Sequence, residues 1–126
     1  MEIMKNFKVL LVDDVVETLE LMKIGLDDCG YDVDIASSGE AALKILRTVT
    51  PDIIITDLRM APMNGFDLFH EVKKITRLAN VPFFFLTAVD DFLAKKYGSS
   101  LGVDAYITKP TDVTTLDALI RGKLEK

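Results

Sequence analysis

The chain has 126 residues, 49% of them hydrophobic and 28% charged, which is typical of one soluble globular domain. Its formal net charge of −5 argues against a broad phosphate-binding face for nucleic acid. The single cysteine, Cys29, cannot form an internal disulfide, and no apolar run approaches the roughly 20 residues of a membrane span. We therefore expect one cytoplasmic domain over 1–126, with a core of about 6–124, no output domain, no membrane segment and no direct contact with nucleic acid.

Five short apolar runs predict β-strands, and they lie at 7–12, 31–35, 53–56, 81–86 and 105–107. The first, third and fourth runs are nearly continuous and rich in Val, Ile, Leu and Phe, which indicates strands buried on both faces. The second run instead alternates, with Asp32 and Asp34 between apolar residues. This alternation predicts a half-buried strand at an edge of the sheet.

Segments with helical apolar spacing follow the strands, at 15–29, 37–46, 66–78, 90–101 and from 111 onward. The apolar stripe of the first helix consists of Val15, Leu19, Met22, Leu26 and Cys29. Gly30 is a typical residue to end that helix, and Ser37 with Glu40 has the capping-box spacing that predicts the start of the second. The strict alternation of strands and helices predicts an α/β fold with a parallel sheet covered on both faces.

Polar residues collect where the predicted strands end. Asp13 and Asp14 follow the first strand, Asp57 the third, Thr87 the fourth and Lys109 the fifth. Because parallel strands point their carboxyl ends the same way, these side chains share one edge of the sheet, where open α/β sheets bind ligands. Asp57 alone is equally well explained as the cap of a turn, but turn chemistry does not account for four strand ends of this composition.

The charges of this set indicate a bound cation. Two carboxylates about 4 Å apart repel by around 4 kcal/mol at an effective dielectric constant near 20. A Mg²⁺ ion, which binds carboxylates together with water and phosphate oxygens, relieves that repulsion. Lys109 then offers a point charge, and Thr87 a hydroxyl, to an incoming anion. Phosphoryl transfer onto aspartate is the chemistry that fits a metal, an ammonium and a free carboxylate.

These motifs together resemble the receiver domain of bacterial two-component response regulators, and the resemblance covers essentially the whole chain. It is carried by Asp13-Asp14 after FKVLLV, Asp57 after IIIT, the loop at 60–65, Thr87-Ala88 after VPFFFL, and GVDAYITKP at 102–110. The resemblance implies a three-layer, doubly wound (βα)5 fold of the flavodoxin-like kind. Its parallel five-stranded sheet would have the strand order 2-1-3-4-5.

The resemblance also implies a phosphoacceptor and a metal site. Asp57 would accept a phosphoryl group from a sensor histidine kinase or a histidine phosphotransfer protein. Mg²⁺, or Mn²⁺ in its place, would be held by Asp13, Asp14, Asp57 and the backbone carbonyl of Arg59.

Further residues would sense the phosphoryl group, again as the resemblance implies. Lys109 and Thr87 would contact it, Thr87 and Tyr106 would form a switch, and the Lys109–Pro110 bond would be cis. The switch would change the surface formed by the fourth helix, fifth strand and fifth helix. That surface would control a downstream effector or a missing output domain, and a phosphorylation-dependent homodimer stays open.

Three other functions stay open at this point. A metal-dependent phosphohydrolase also forms an aspartyl phosphate, but it requires Asp-x-Asp after the first strand, where this chain has Asp13-Asp14-Val15. A receiver-fold scaffold that is never phosphorylated has no need of the acid pair, Thr87 and Lys109. A flavin-binding module requires a hydroxyl- and glycine-rich phosphate loop after the first strand. We therefore predict a phosphorylatable signalling domain and not an enzyme.

Overall fold

The computed structural model describes residues 6–88, 96, 103–109 and 111–125. The strands in these ranges are β1 Lys8–Val12, β2 Asp32–Ala36, β3 Ile53–Asp57, β4 Phe83–Ala88 and β5 Ala105–Lys109. The helices are α1 Val16–Asp28, α2 Gly39–Leu46, α3 Gly65–Lys73 and α4 Val113–Leu124, with a 3-10 turn at Thr76–Leu78. Apart from residue 96, the helix predicted at 90–101 lies outside the described residues, so the label α4 is given to the C-terminal helix.

The five strands form one parallel sheet in the order β2-β1-β3-β4-β5. This arrangement confirms the predicted fold class and strand order, and it confirms that the alternating strand β2 lies at an edge. The order reverses between β1 and β3; Asp13 directly follows β1, and Asp57 is the last residue of β3. In open parallel sheets the crevice outside such a reversal is where ligands bind.

The central strands β1, β3 and β4 bury both of their faces, because helices cover both sides of the sheet, whereas the edge strands β2 and β5 are only partly buried. Along β1, Val9 and Leu11 pack on one side while Leu10 and Val12 pack on the other, as the alternation of side chains in a strand requires. The side facing α2 and α3 contains Ala42, Leu46, Ile54, Leu68, Val72, Phe83 and Phe85. The side facing α1 and α4 contains Leu19, Leu26, Ile53, Ile55, Ile107, Leu116 and Ile120.

The start of α1 differs from the sequence prediction. Val15, expected on the buried stripe, is 47% exposed and is the N-cap residue, with no side-chain hydrogen bond to the helix. The cause is the preceding turn, in which the Asp13 carboxylate accepts a hydrogen bond from the Val15 backbone N–H at 3.0 Å. The end of α1 is as predicted, since Gly30 follows the helix with φ +98°.

Two other helix boundaries also differ. The N-cap of α2 is Ser38, whose hydroxyl accepts from the Ala41 N–H at 3.0 Å, so the predicted Ser37 capping box is wrong by one residue. The segment predicted as one helix over 66–78 is α3 followed by the separate 3-10 turn. Its true beginning is a capping box in which Asn64 and Asp67 bond each other's backbone N–H groups, a signal that the sequence analysis did not use.

The C-terminal helix is held against α1 and the turn after it. Gly25 lies where a side chain would collide with Val113, because a Cβ atom there would lie 2.4 Å from a Val113 methyl group. Arg121 stacks over the ring of Tyr31 at 4.9 Å and donates to the Cys29 carbonyl oxygen at 2.8 Å. Among the described residues, the structure contains no helix with the length and apolarity needed to cross a membrane.

Candidate functional site

Three carboxylates meet at the carboxyl-terminal edge of the sheet. Asp13 follows β1, Asp14 follows Asp13, and Asp57 is the last residue of β3. One oxygen from each of the three lies within 4.8 Å of the other two. Asp13 and Asp57 are buried whereas Asp14 is exposed. The cluster is therefore open to an incoming ligand on one side and shielded from water on the other.

Lys109, the last residue of β5, reaches this cluster from two strands away. Its ammonium lies 2.9 Å from Asp57 Oδ1 and 3.3 Å from Asp13 Oδ2. The ammonium neutralises one of the three negative charges, so about two remain. Without a further cation, these remaining negative charges repel one another in a site that is partly buried from water.

The pKa values of Asp57 and Lys109 reflect both their burial and the charges around them. Burial raises the pKa of the Asp57 carboxyl above its ordinary value, and the nearby carboxylates of Asp13 and Asp14 add to the rise, although the contact with Lys109 opposes it. Burial by itself lowers the pKa of the Lys109 ammonium, but its contacts with Asp57 and Asp13 outweigh burial and raise it. The site therefore holds a charged lysine beside a carboxylate that is costly to ionise.

The loop that follows Asp57 folds back against the same strand. The Leu58 N–H donates to the Leu86 carbonyl, and the Gly65 N–H donates to the Leu58 carbonyl at 2.9 Å. A Cβ atom on Gly65 would lie 2.7 Å from the Asp57 backbone oxygen and 3.0 Å from the Leu58 Cα. Glycine is thus required for the close approach that fixes the backbone of Asp57. In the sequence Gly65 is visible only as the last residue of the loop motif at 60–65, without this role.

Thr87 lies on β4, the strand next to β3, and Tyr106 lies on β5, on the other side of β4. Thr87 is buried and follows Leu86, the residue of β4 that pairs with Asp57. Tyr106 pairs with Phe85 across the β4–β5 ladder, and its ring lies 5.5 Å from the Phe85 ring. Tyr106 is partly buried and packs with the apolar cluster on the α2 and α3 side of the sheet. The Tyr106 ring therefore lies beside Phe85, which precedes Thr87 by two residues on β4.

The remaining predicted site residues are placed less fully. Arg59 lies in the bend after β3 with an exposed side chain. Pro110 lies outside the described residues, and so does the predicted cis bond that precedes it. A cis peptide bond does occur in the loop after Asp57, between Ala61 and Pro62.

Comparison with known proteins identifies the family. A family model described as the response regulator receiver domain matches residues 9–121 of this chain. The chain belongs to this family. The match confirms the resemblance drawn from the sequence motifs, and it makes the chain a receiver domain of two-component systems.

Individual relatives agree with this assignment of the receiver domain. The alkaline phosphatase synthesis transcriptional regulatory protein PhoP of Bacillus subtilis is 34% identical over 121 residues, which are 96% of this chain and 50% of PhoP. The DNA-binding dual master transcriptional regulator RpaA of Synechocystis is 32% identical over 119 residues, 94% of this chain and 49% of RpaA. The chain spans about half the length of these curated relatives.

A solved structure shows the same architecture. The chemotaxis response regulator CheY4 of Vibrio cholerae superposes with a TM-score of 0.84 at 30% sequence identity, covering 93% of this chain and 98% of that chain. Unlike the longer relatives, CheY4 is matched over nearly its full length. The receiver domain described here is therefore similar to nearly the whole chain of that structure and to about half of the longer relatives.

The donor set of this receiver domain fits a hard divalent cation. The three carboxylates offer only oxygen ligands, which Mg²⁺ and Mn²⁺ prefer, and their oxygens are close enough for one ion to contact all three. The negative charge that Lys109 leaves uncompensated is about two, which equals the charge of a divalent cation. The backbone carbonyl of Arg59 follows two residues after Asp57 and would add a further oxygen from the same loop.

Proposed function

We propose that this receiver domain is a phosphorylatable signalling switch. Asp57 accepts a phosphoryl group from a histidine kinase or a histidine phosphotransfer protein, in a reaction that depends on Mg²⁺. Phosphorylation then changes the surface formed by residues 90–101, β5 and α4, and this surface controls a partner or an output domain. The observation that carries the proposal is the ammonium of Lys109 at 2.9 Å from Asp57, beside two further carboxylates.

Asp57 is the carboxylate best suited to act as the nucleophile. It is the buried strand-end residue whose Oδ1 contacts Lys109, and the backbone that carries it is fixed by Gly65. Asp13 is less suited, because its Oδ1 already accepts the Val15 N–H. Asp14 is exposed and follows the strand at a distance of two residues.

The transfer step needs no co-reactant beyond the phosphodonor. An Asp57 carboxylate oxygen attacks phosphorus, and the new O–P bond replaces the N–P bond of a phosphohistidine. The electron pair of the broken bond remains on the imidazole nitrogen, which takes up a proton from water. Lys109, freed from its ion pair with the attacking carboxylate, then contacts a phosphoryl oxygen. A bound Mg²⁺, held by Asp13, Asp14, Asp57 and the Arg59 carbonyl, would neutralise charge on the phosphoryl oxygens.

The phosphoryl group carries about 1.5 to 2 negative charges and strong acceptor oxygens, and it replaces the single negative charge of the Asp57 carboxylate at the end of β3. The Thr87 hydroxyl, one strand away and at the same edge, is the neutral donor suited to contact them. A move of Thr87 leaves space that the Tyr106 ring, packed against Phe85, can enter. Two arrangements of β4 and β5 would thus differ in free energy according to the charge on Asp57.

The partners follow from the same proposal. The phosphodonor is a sensor histidine kinase or a phosphotransfer protein, and the receiver of the signal is an effector or an output domain. PhoP and RpaA are transcriptional regulators of about twice this length, which supports an output that acts on transcription. Phosphorylation-dependent pairing of two receiver domains is part of the proposal, and so is a cytoplasmic location.

The test is phosphoryl incorporation from acetyl phosphate, read by intact-protein mass spectrometry. The wild-type protein should gain one phosphoryl group with Mg²⁺ and none with excess chelator. Asp57→Asn should abolish the gain. Asp13→Asn should slow it but leave the label on Asp57.

Two results would overturn the proposal. A label that survives in Asp57→Asn and is lost in Asp13→Asn would favour the phosphohydrolase arrangement, in which the first strand carries the nucleophile. No label from acetyl phosphate and none from any phosphorylated kinase or phosphotransfer protein would favour a scaffold that is not phosphorylated. Circular dichroism of each variant shows whether the fold is retained.

A further inference from the structure

The loop after Asp57 contains two methionines that are buried to different degrees. Met60 is 8% exposed and belongs to the apolar cluster on the α2 and α3 side of the sheet. Met63 is only partly buried and packs against the same cluster. Ala61 and Pro62, which lie between the two methionines, are exposed. The side chain of Met63 is therefore the more accessible of the two to a small molecule in solution.

The thioether of Met63 lies against Gly39, the first residue of α2. A Cβ atom on Gly39 would lie 2.5 Å from the Met63 Sδ atom, 2.9 Å from its Cγ atom and 3.1 Å from its Cβ atom. Because Gly39 has no side chain, the sulfur can pack on the backbone of the helix. Interiors packed this closely have no space for a further heavy atom at such a contact.

The contact between Met63 and α2 holds one end of the loop in place. Met63 directly precedes Asn64, the N-cap residue of α3. The loop is closed on itself by the hydrogen bond from the Gly65 N–H to the Leu58 carbonyl, and Met63 fastens it to a neighbouring helix. The proposed metal ligand, the backbone carbonyl of Arg59, belongs to this loop. A displacement of Met63 would therefore disturb the segment that follows the proposed phosphoacceptor.

We propose that Met63 is a site of oxidative modification, at which a hydroperoxide converts the thioether to a sulfoxide and thereby displaces the loop from α2. A sulfur lone pair attacks the terminal oxygen of the hydroperoxide, so that an S–O bond forms and the O–O bond breaks. The sulfur loses two electrons. The proton of the transferred hydroxyl passes to the released oxygen, which leaves as an alcohol, or as water when the oxidant is hydrogen peroxide.

The sulfoxide does not fit where the thioether lies. Its oxygen adds volume beside Gly39, and it is a polar group that requires a hydrogen-bond donor or water, whereas the thioether packs as an apolar group. The oxidised side chain therefore turns toward solvent and releases the loop. Reductases convert methionine sulfoxide back to methionine, so the change is reversible. The displacement of the loop does not depend on the proposed function, but slower phosphoryl transfer to Asp57 as its consequence rests on that function.

The test exposes the full chain to increasing concentrations of hydrogen peroxide, which catalase then removes. Trypsin yields one peptide, 60–73, that contains both loop methionines. Its fragment spectra assign the added oxygen to Met60 or Met63, and other peptides report oxidation of Cys29. We expect Met63 to be oxidised about fivefold faster than Met60 or more, because susceptibility follows exposure. Backbone amide shifts in NMR spectra of the oxidised protein should be largest at 58–65 and at the start of α2.

The oxidised protein should also take up a phosphoryl group from acetyl phosphate about threefold to tenfold more slowly, since small misplacements of reacting groups have effects of this size or larger. Treatment with methionine sulfoxide reductases should restore both the rate and the amide spectrum.

Matched variants separate Met63 from the other oxidisable residues. Met63→Leu keeps the volume without the sulfur, so its incorporation rate should be within about twofold of the wild type and should persist after peroxide. Met22→Leu, at a partly buried position of α1, is the control and should lose incorporation on oxidation as the wild type does. Gly39→Ala should push the thioether away without any oxidant and reproduce the amide shifts of the loop.

Three results would overturn the assignment of Met63 as an oxidation site that holds the loop. They are equal oxidation rates for Met60 and Met63, amide shifts that lie outside the loop and α2, and a Met63→Leu protein that loses incorporation on oxidation as fully as the wild type. A wild-type protein that takes up no phosphoryl group even before peroxide contradicts the proposed function instead. In that case the oxidation rates and amide shifts alone decide whether Met63 has this role.

Discussion

Charged residues at the two ends of the sheet serve different purposes. At the amino-terminal end, acids precede strands and bond the backbone of a neighbouring strand. Asp52 accepts the Lys8 N–H at 2.8 Å, and Asp104 accepts the Phe83 N–H at 2.8 Å while its other oxygen lies 2.7 Å from the Lys123 ammonium. At the carboxyl-terminal end, acids follow strands and face one another. At the amino-terminal end, the acids are paired with backbone N–H groups or with a lysine, and they stabilise the fold. The carboxyl-terminal end keeps an excess of negative charge.

A lysine at each end makes the same contrast. Lys73 donates to the backbone carbonyls of Ala79 and Val81 and lies 5.4 Å and 5.7 Å from the ring centres of Phe69 and Phe83. Within the described part of the chain, the Lys109 ammonium contacts the side chains of Asp57 and Asp13, which are both carboxylates. Lys73 therefore holds a turn, while Lys109 is available to exchange one anion for another. A lysine that is bonded to backbone carbonyls stabilises the fold, whereas a lysine that is bonded to side-chain carboxylates can exchange them for a ligand anion.

The largest expected effect comes from replacing Lys109, and the replacement of Lys73 is its control. Lys109→Met removes the cation that contacts Asp57 and that, in the proposed reaction, also contacts the transferred phosphoryl group. We expect the rate of phosphoryl incorporation from acetyl phosphate to fall by about 10² or more, as it does when one electrostatic contact to a transition state is lost. Lys73→Met is the matched control, with an unchanged incorporation rate and a lower free energy of unfolding. Equal loss of incorporation in both variants would show that the two ends are not distinct.

Replacing Gly65 by alanine tests how closely the chain is packed at the carboxyl-terminal end of the sheet, and the same replacement of Gly122 is the control. Gly65→Ala places a methyl group 2.7 Å from the Asp57 backbone oxygen, and we expect it to lower the free energy of unfolding by about 1–3 kcal/mol. It should also slow phosphoryl incorporation, because the Asp57 backbone must shift. Gly122→Ala in α4 meets nothing within 4 Å and should raise the free energy of unfolding by about 0.5–1 kcal/mol. Urea unfolding of both variants measures the difference, and a neutral Gly65→Ala would mean that the loop is not under close contact.

The fold and the polar cluster were predictable because they depend on apolar runs and helical spacing, on chain order and on the ends of strands. Continuous apolar runs such as β3 indicate burial on both faces, and parallel strands must bring Asp13, Asp57 and Lys109 to one edge. The roles of Lys73 and Asp104 were not predictable. Each bonds backbone groups of segments that only the folded chain brings together, and the sequence contains no local signal for such a contact.

The errors in the helices have local causes. Val15 fits the helical period of α1, but the turn made by Asp13 leaves it at the N-cap, where a side chain is free to face solvent. Ser37 and Ser38 are both suitable caps, and only the backbone conformation selects the second. Leu21 and Ile24 fall between the positions of the predicted stripe, so the period identifies the buried face but does not explain the exposed one.

A smaller effect is expected from an acid at the amino-terminal end. Asp104→Ala leaves the Phe83 N–H without its acceptor and the Lys123 ammonium without its partner. The free energy of unfolding should fall by about 1–2 kcal/mol, and the phosphoryl incorporation rate per folded molecule should stay as in the wild type. Urea unfolding and mass spectrometry on one preparation give both quantities. A loss of incorporation without a loss of stability would reverse the roles assigned to the two ends.

The smallest expected effect is a rise in the free energy of unfolding, and it comes from replacing Asp57 at the carboxyl-terminal end of the sheet. Burial raises the pKa of Asp57, so the folded protein disfavours the ionised carboxyl. This cost is absent below the ordinary Asp pKa of about 3.9 and is fully present once the pH exceeds the raised value. Asp57→Asn removes it, so without added metal the variant should be more stable than the wild type at pH 7, by about 1 kcal/mol or less, and the advantage should disappear toward pH 4. Added Mg²⁺ should reverse the order at pH 7, because it stabilises the wild type that binds it. Thermal unfolding at both pH values measures this, and a variant that is less stable than the wild type at pH 7 without metal would place Asp57 with Asp104 among the residues that hold the fold.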